Sequence, residues 1–165
     1  MAFLFKVDAL QNTGLISNYN SPTSSGTPPS ARGVSLDLVV QSGITDRMNI
    51  TMNCSVNVSG VDTSAGATVG GYMLGQWACL AGRVNSTTGE RKVFHLTANT
   101  NNVATNANPV NKGTGLIRVG SPIVGNSGSE LMGMAAIYNV AKTDAEIQAI
   151  YQKMKALYAY YGITI

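Results

Sequence analysis

Residues 48–58 constrain the fold more than any other stretch. Met48, Ile50, Met52, Cys54, Val56 and Val58 are apolar, and the positions between them are Asn49, Thr51, Asn53, Ser55 and Asn57. Successive side chains of a β-strand point to opposite faces, so this alternation predicts a strand with one face in a core and one in water. It also predicts an antiparallel sheet, because strands of parallel sheets are usually buried on both faces. The polar side of the strand reads as the solvent face.

Shorter runs follow the same logic. Residues 33–40 lead into the turn signal Gln41-Ser42-Gly43. Residues 77–84 and 91–98 flank Asn85-Ser86-Thr87-Thr88-Gly89-Glu90, a hairpin loop with Gly89 where positive φ is needed. Residues 116–119 and 130–138 complete the series. The stretch 18–30, with three Pro and six Ser or Thr, reads as a long exposed loop, and the Asn- and Thr-rich stretch 99–115 as another. At the C-terminus the period changes. Thr143 and Glu146 form a capping box, and Ile147, Ile150, Tyr151, Met154, Leu157, Tyr158 and Tyr161 fall on one helical face. Gly162 then stops the helix. The expectation is an all-β antiparallel sandwich with one C-terminal α-helix over about 143–161, in a single domain spanning 1–165.

Charged residues make up only 12% of the chain, so its polar surface must come mainly from 15 Asn, 18 Gly and the Ser and Thr hydroxyls. The net charge is +3, but the bases are scattered, without the clustering that a nucleic-acid surface needs. The apolar start Met1-Ala2-Phe3-Leu4-Phe5 ends at Lys6 and Asp8. That is too short for a signal-peptide core, and no stretch approaches a membrane span. Neither nucleic acid nor membrane is expected as a partner. Cys54 and Cys79 lack zinc-type neighbours and read as small buried hydrophobes, with a bridge between them left open.

The stretch Leu131-Met132-Gly133-Met134-Ala135-Ala136-Ile137-Tyr138-Asn139-Val140-Ala141-Lys142-Thr143-Asp144-Ala145-Glu146-Ile147 resembles the closing strand and helix of laminin G-like, concanavalin A-like jelly-roll domains. Trp77-Ala78-Cys79-Leu80-Ala81-Gly82-Arg83-Val84-Asn85, with Gly89 and Val93 beyond it, is similar to that family's Trp strand and hairpin. The resemblance covers roughly residues 33–165. It implies a β-sandwich, and such folds occur in virion surface proteins, in carbohydrate-binding modules and in glucanases.

The chemistry of a glucanase needs two carboxyl groups facing each other across the scissile bond. The acids here are Asp8, Asp37, Asp46, Asp62, Glu90, Glu130, Asp144 and Glu146, and none pair at close spacing on one expected strand. Asp144 and Glu146 read as first-turn helix acids. His95 reads as an ordinary strand histidine without triad partners. Residues 125–129 lack the Lys and following helix of a phosphate loop. Asp46 and Asp62, at strand ends, are the candidates for a calcium site, as family members often have, although a hard cation wants more oxygens. Four Asn-X-Ser/Thr sequons, at Asn49, Asn53, Asn57 and Asn85, follow from composition rather than glycosylation. For a sugar platform the loop aromatics would be Tyr19 and Tyr72, while Trp77 reads as core.

No catalytic residue, metal ligand or cofactor is therefore assigned. The expectation is a non-catalytic structural or interaction protein, a virion surface component such as a capsid decoration or tail protein. It would act through protein contacts and self-association, with a carbohydrate-binding module as the alternative and an extracellular or cell-surface setting as its counterpart. The strand-like opening Phe3-Leu4-Phe5-Lys6-Val7, with no strand before it, is expected to leave an edge that a neighbouring subunit covers.

Overall fold

The computed structural model describes residues 1–18, 33–113, 116–120, 126 and 128–165. The expected loop at 18–30 lies, beyond Asn18, outside the described residues, as does Tyr19. Two five-stranded antiparallel sheets face each other. The first runs β10 (Leu131–Ala136), β1 (Ala2–Lys6), β6 (Ala78–Asn85), β7 (Glu90–His95), β8 (Thr100–Thr105). The second runs β5 (Val61–Met73), β4 (Arg47–Val58), β3 (Val34–Val40), β2 (Thr13–Ser17), β9 (Arg118–Val119). The sandwich and its closing helix α1 (Asp144–Tyr160) are as the patterning predicts.

The alternation in β4 works as read. Met48, Ile50, Met52, Cys54 and Val56 are buried, and most of them join Phe3, Phe5, Leu36, Leu38 and Val93 in the core between the sheets. A second core lies on the outer face of the first sheet, where Ala2, Leu4, Cys79, Ala81 and Phe94 meet Ile147, Tyr151 and Met154 of α1. The strand β1 feeds both cores, which is why its sequence is continuously apolar instead of alternating.

Two consequences correct the sequence reading. β1 is no edge: it pairs with β10 (Ala2↔Ala136) on one side and β6 (Leu4↔Cys79) on the other. Its backbone is satisfied within the chain, so the expected covering of that edge by a neighbouring subunit loses its basis. The stretch 99–115 is not all loop either, because β8 pairs along β7 from His95↔Thr100 to Glu90↔Thr105.

Thr143 caps α1 and forms the full capping box with Glu146, and Gly162 sits just past the helix at φ 74°. The buried stripe is Ile147, Tyr151 and Met154, while Leu157, expected on that face, is 51% exposed. The hairpin at Asn85 is also as read: its side-chain oxygen accepts from Thr87 N–H, and Gly89 has φ 68°. Among the described residues no helix is long and apolar enough to cross a membrane.

Candidate interaction surface

The acids are dispersed and held. Asp46 is paired with Arg47 at 3.0 Å, and Asp62 accepts from the amides of Asn57 at 2.7 Å and Asn111 at 2.5 Å. Asp46 precedes β4 while Asp62 pairs with Asn57 at the far end of that strand, so the two calcium candidates lie at opposite ends of the β4–β5 ladder. Asp144 binds both Arg83 and Lys92, and Glu90 binds Arg83. Among the described residues no group of three His, Cys, Asp or Glu could hold a metal ion. Gly125 and Ser127, in the rejected phosphate-loop stretch, lie outside the described residues.

His95 sits between the sheets, where burial lowers its pKa and it hydrogen-bonds the Gly70 backbone. Both cysteines are free and buried, in different sheets. Burial pushes the Cys79 thiol up to about 12 and raises that of Cys54 as well. Neither is poised as a nucleophile, which needs a lowered pKa.

The polar face of β4 is more than a solvent face. Ser55 is buried, and Asp37 on β3 is only 6% exposed. Ser35 Oγ–H donates to Asp37 Oδ2 at 2.5 Å and the Asn53 amide donates to the same oxygen at 3.2 Å. Burial raises the Asp37 pKa, and these hydrogen bonds only partly oppose it. Further along, Thr51 and Thr68 hydroxyls meet at 3.1 Å. No aromatic ring stands on this face among its described residues. Tyr72, expected in a loop, lies in β5 with its hydroxyl 2.6 Å from Val7 N and its ring 4.9 Å from that of Phe5. Trp77 is half-buried and packs at the rim of the helix-side core.

The two long sides of the sandwich differ. On one, β8 closes onto β5, and the Asn102 amide donates to the Thr68 carbonyl at 2.7 Å. On the other, the edge strands are β10 and the two-residue β9, brought together where Gly120 meets Glu130 and Met132. Here Leu116 (85% exposed), Ile117, Leu131, Met132, Ile137 and Val140 all reach solvent. The α1 C-terminus extends this surface, since the Tyr158 hydroxyl donates to the Gly133 carbonyl at 2.6 Å and the exposed Tyr161 ring lies 6.4 Å from that of Tyr158. Residues 131–141 contain no Asp, Glu, Lys, Arg or His. The sequence reading found the strands here and assigned them no surface role. The uncharged run was the available signal.

One end of the sandwich holds a cavity of about 260 Å³. Its walls come from both sheets and from the link between β10 and α1.

No family model, curated protein or solved structure matches this chain.

Proposed function

We propose that this chain is a non-catalytic structural protein that acts by protein–protein contact. Its contact surface is the β9–β10 side, and its first partner is a second copy of itself. The observation that carries this reading is the exposure of Leu131, Met132, Ile137 and Val140 along the uncharged run 131–141, with exposed Ile117 near Ile137 and Val140 at its far end. Soluble monomers rarely leave a contiguous apolar patch of this kind uncovered. An edge strand such as β10 also presents backbone N–H and C=O groups that another strand can take up. Charge favours a copy of the chain as occupant: the run 131–141 is uncharged, and the charges bordering it, Lys6, Arg118 and Glu130, are of both signs, so a two-fold mate meets no one-sided repulsion. The setting that fits a low-charge, Asn- and Thr-rich sandwich is a virion surface, as a capsid decoration or tail protein.

Light scattering on the purified protein up to high micromolar concentration tests this, with Met132→Lys as the variant. The expected result is a dimer or larger assembly that Met132→Lys converts to monomer without lowering the melting temperature. An intact protein that stays monomeric overturns the reading.

A carbohydrate-binding role is the second reading, and the exposed Tyr160 and Tyr161 favour it. Their rings lie 5.3 Å apart but edge-to-face at 87°, which offers a sugar one ring face and not a flat platform. Glycan binding lost in Tyr160→Ala would move the assignment there.

A further inference from the structure

The cavity at the end of the sandwich runs from the core to solvent. At its inner end are Ile16 and Met52, which are fully buried, and at its outer end are Ile117 and Val140, which are exposed. Val84 and Ile147 add to walls that are mainly apolar, with Asn18, Ser86 and Asn139 as the uncharged polar residues of the lining. Both cores contribute, because β6 and the first turn of α1 meet here.

The polar side chains around it are not balanced in charge. Arg83, Lys112 and Lys142 line the cavity, and no Asp or Glu does. The acids that compensate two of these cations stand outside the lining. Glu90 and Asp144 hold Arg83 at 2.6 and 2.8 Å, and Glu146 holds Lys142 at 2.9 Å. Lys112 is exposed and makes no ion pair among the described residues. Two of the charges are thus fixed in position by their acids, and the third is available.

We infer that this cavity binds a small amphipathic anion, an unbranched alkyl chain ending in a carboxylate. The apolar depth takes the chain, as ligand pockets characteristically pair apolar walls with a few convergent polar groups. Lys112, the cation of the lining without an acid partner among the described residues, selects the sign of the head group. At about 260 Å³ the cavity lies near the lower end of ligand-pocket size, so the fitting chain is of medium length. A neutral alcohol of the same length would keep the apolar term and lose the charge term, and an alkylammonium would be repelled. Ile117 and Val140 at the mouth also belong to the proposed contact surface, so the titration is run on Met132→Lys as well as on the intact chain, which keeps failure of the site distinct from closure of its mouth by a second copy.

Calorimetric titration of the full chain with octanoate, octanol and octylammonium, below their micelle concentrations, tests it. Octanoate is expected to bind at one site per chain, about tenfold or more tighter than octanol, a ratio typical of one charge-assisted contact. Octylammonium is expected not to bind. Two exposed positions supply variants that leave the core intact. Lys112→Glu should weaken octanoate about tenfold while leaving octanol unchanged. Ile117→Trp, which puts a larger ring at the mouth, should abolish both. Octanoate and octylammonium binding alike, octanoate binding that survives Ile117→Trp, or no octanoate heat at all would each overturn the assignment. A native melting temperature for both variants, measured in parallel, separates loss of the site from loss of the fold.

Discussion

Arg91 offers the sharpest test of how this interior is balanced. It is the largest fully buried side chain among the described residues, 1% exposed, and it projects from β7 between the two sheets. Its Nε donates to Cys54 Sγ at 3.3 Å and its Nη1 to the Gly89 carbonyl at 3.3 Å, while Nη2 has no partner among the described residues. No carboxylate pairs with it. A guanidinium taken out of water costs several kcal/mol, and a neutral thiol with one carbonyl returns little of that. Replacement by Met retains most of the volume and the apolar stem, and it strands nothing important, because the Gly89 carbonyl still accepts from Asn106 N–H at 3.0 Å.

Arg91→Met should therefore stabilise the fold by about 1–4 kcal/mol, the range found when buried ion pairs give way to well-packed apolar residues. At this chain length each kcal/mol is worth about 2–4 °C in melting temperature, well within the reach of differential scanning calorimetry. Arg91→Lys is the control. It keeps the charge, concentrates it on a more strongly hydrated ammonium, and should lower the melting temperature. If Arg91→Met melts below the wild type, the guanidinium has a compensating partner and the reasoning fails.

The helix register gives a second prediction. Met154→Ala should cost about 2–5 kcal/mol as a core truncation, whereas Leu157→Ala, at an exposed site, should stay within about 0.5 kcal/mol, and equal costs in urea melts would show that the buried stripe is misplaced. Asp37→Asn gives a third, read against pH. Because burial holds the folded Asp37 pKa above its ordinary 3.8, the native state binds the proton more tightly, so the wild type loses stability as pH rises through that folded value. Ser35 and Asn53 reach one oxygen that an amide keeps. The Asn126 amide, which also hydrogen-bonds the carboxylate, can turn its own oxygen to the new amino group, so Asp37→Asn should melt higher than the wild type at pH 7. The gap should close below about pH 3.8, and a gap that widens in acid would contradict this.

How much of this was legible depended on whether the signal was local. The alternation of 48–58 and the capping box at Thr143 are short-range and needed no knowledge of partners. β5 escaped notice because Val61–Met73 is rich in Gly and Ala and contains Asp62, all weak strand formers. It is a strand through its ladder to β4, which runs from Val58↔Val61 to Arg47↔Met73. β2 escaped because a bulge between Gly14 and Ile16 places both Leu15 and Ile16 in the core and breaks the period of two. β1 was recognised as a strand yet misplaced to an edge, since its neighbours come from far along the chain. At the candidate surface the residues were plain in the sequence. Their convergence was not, because it depends on β9 and β10 being the two edges of one side.

The position of β1 also shapes how the chain reaches this state. Phe3 and Phe5 leave the ribosome before either neighbour of β1, since β6 begins at Ala78 and β10 at Leu131, so one flank of β1 must wait for the residues from Lys6 to Leu131. At about 5–20 residues per second, the interval from β1 to β10 is roughly 6–26 s. For that time a strand apolar on both faces is without its final neighbour. Pairings of such long sequence separation are slow to form, and β1 during synthesis is the segment on which a holding chaperone would act.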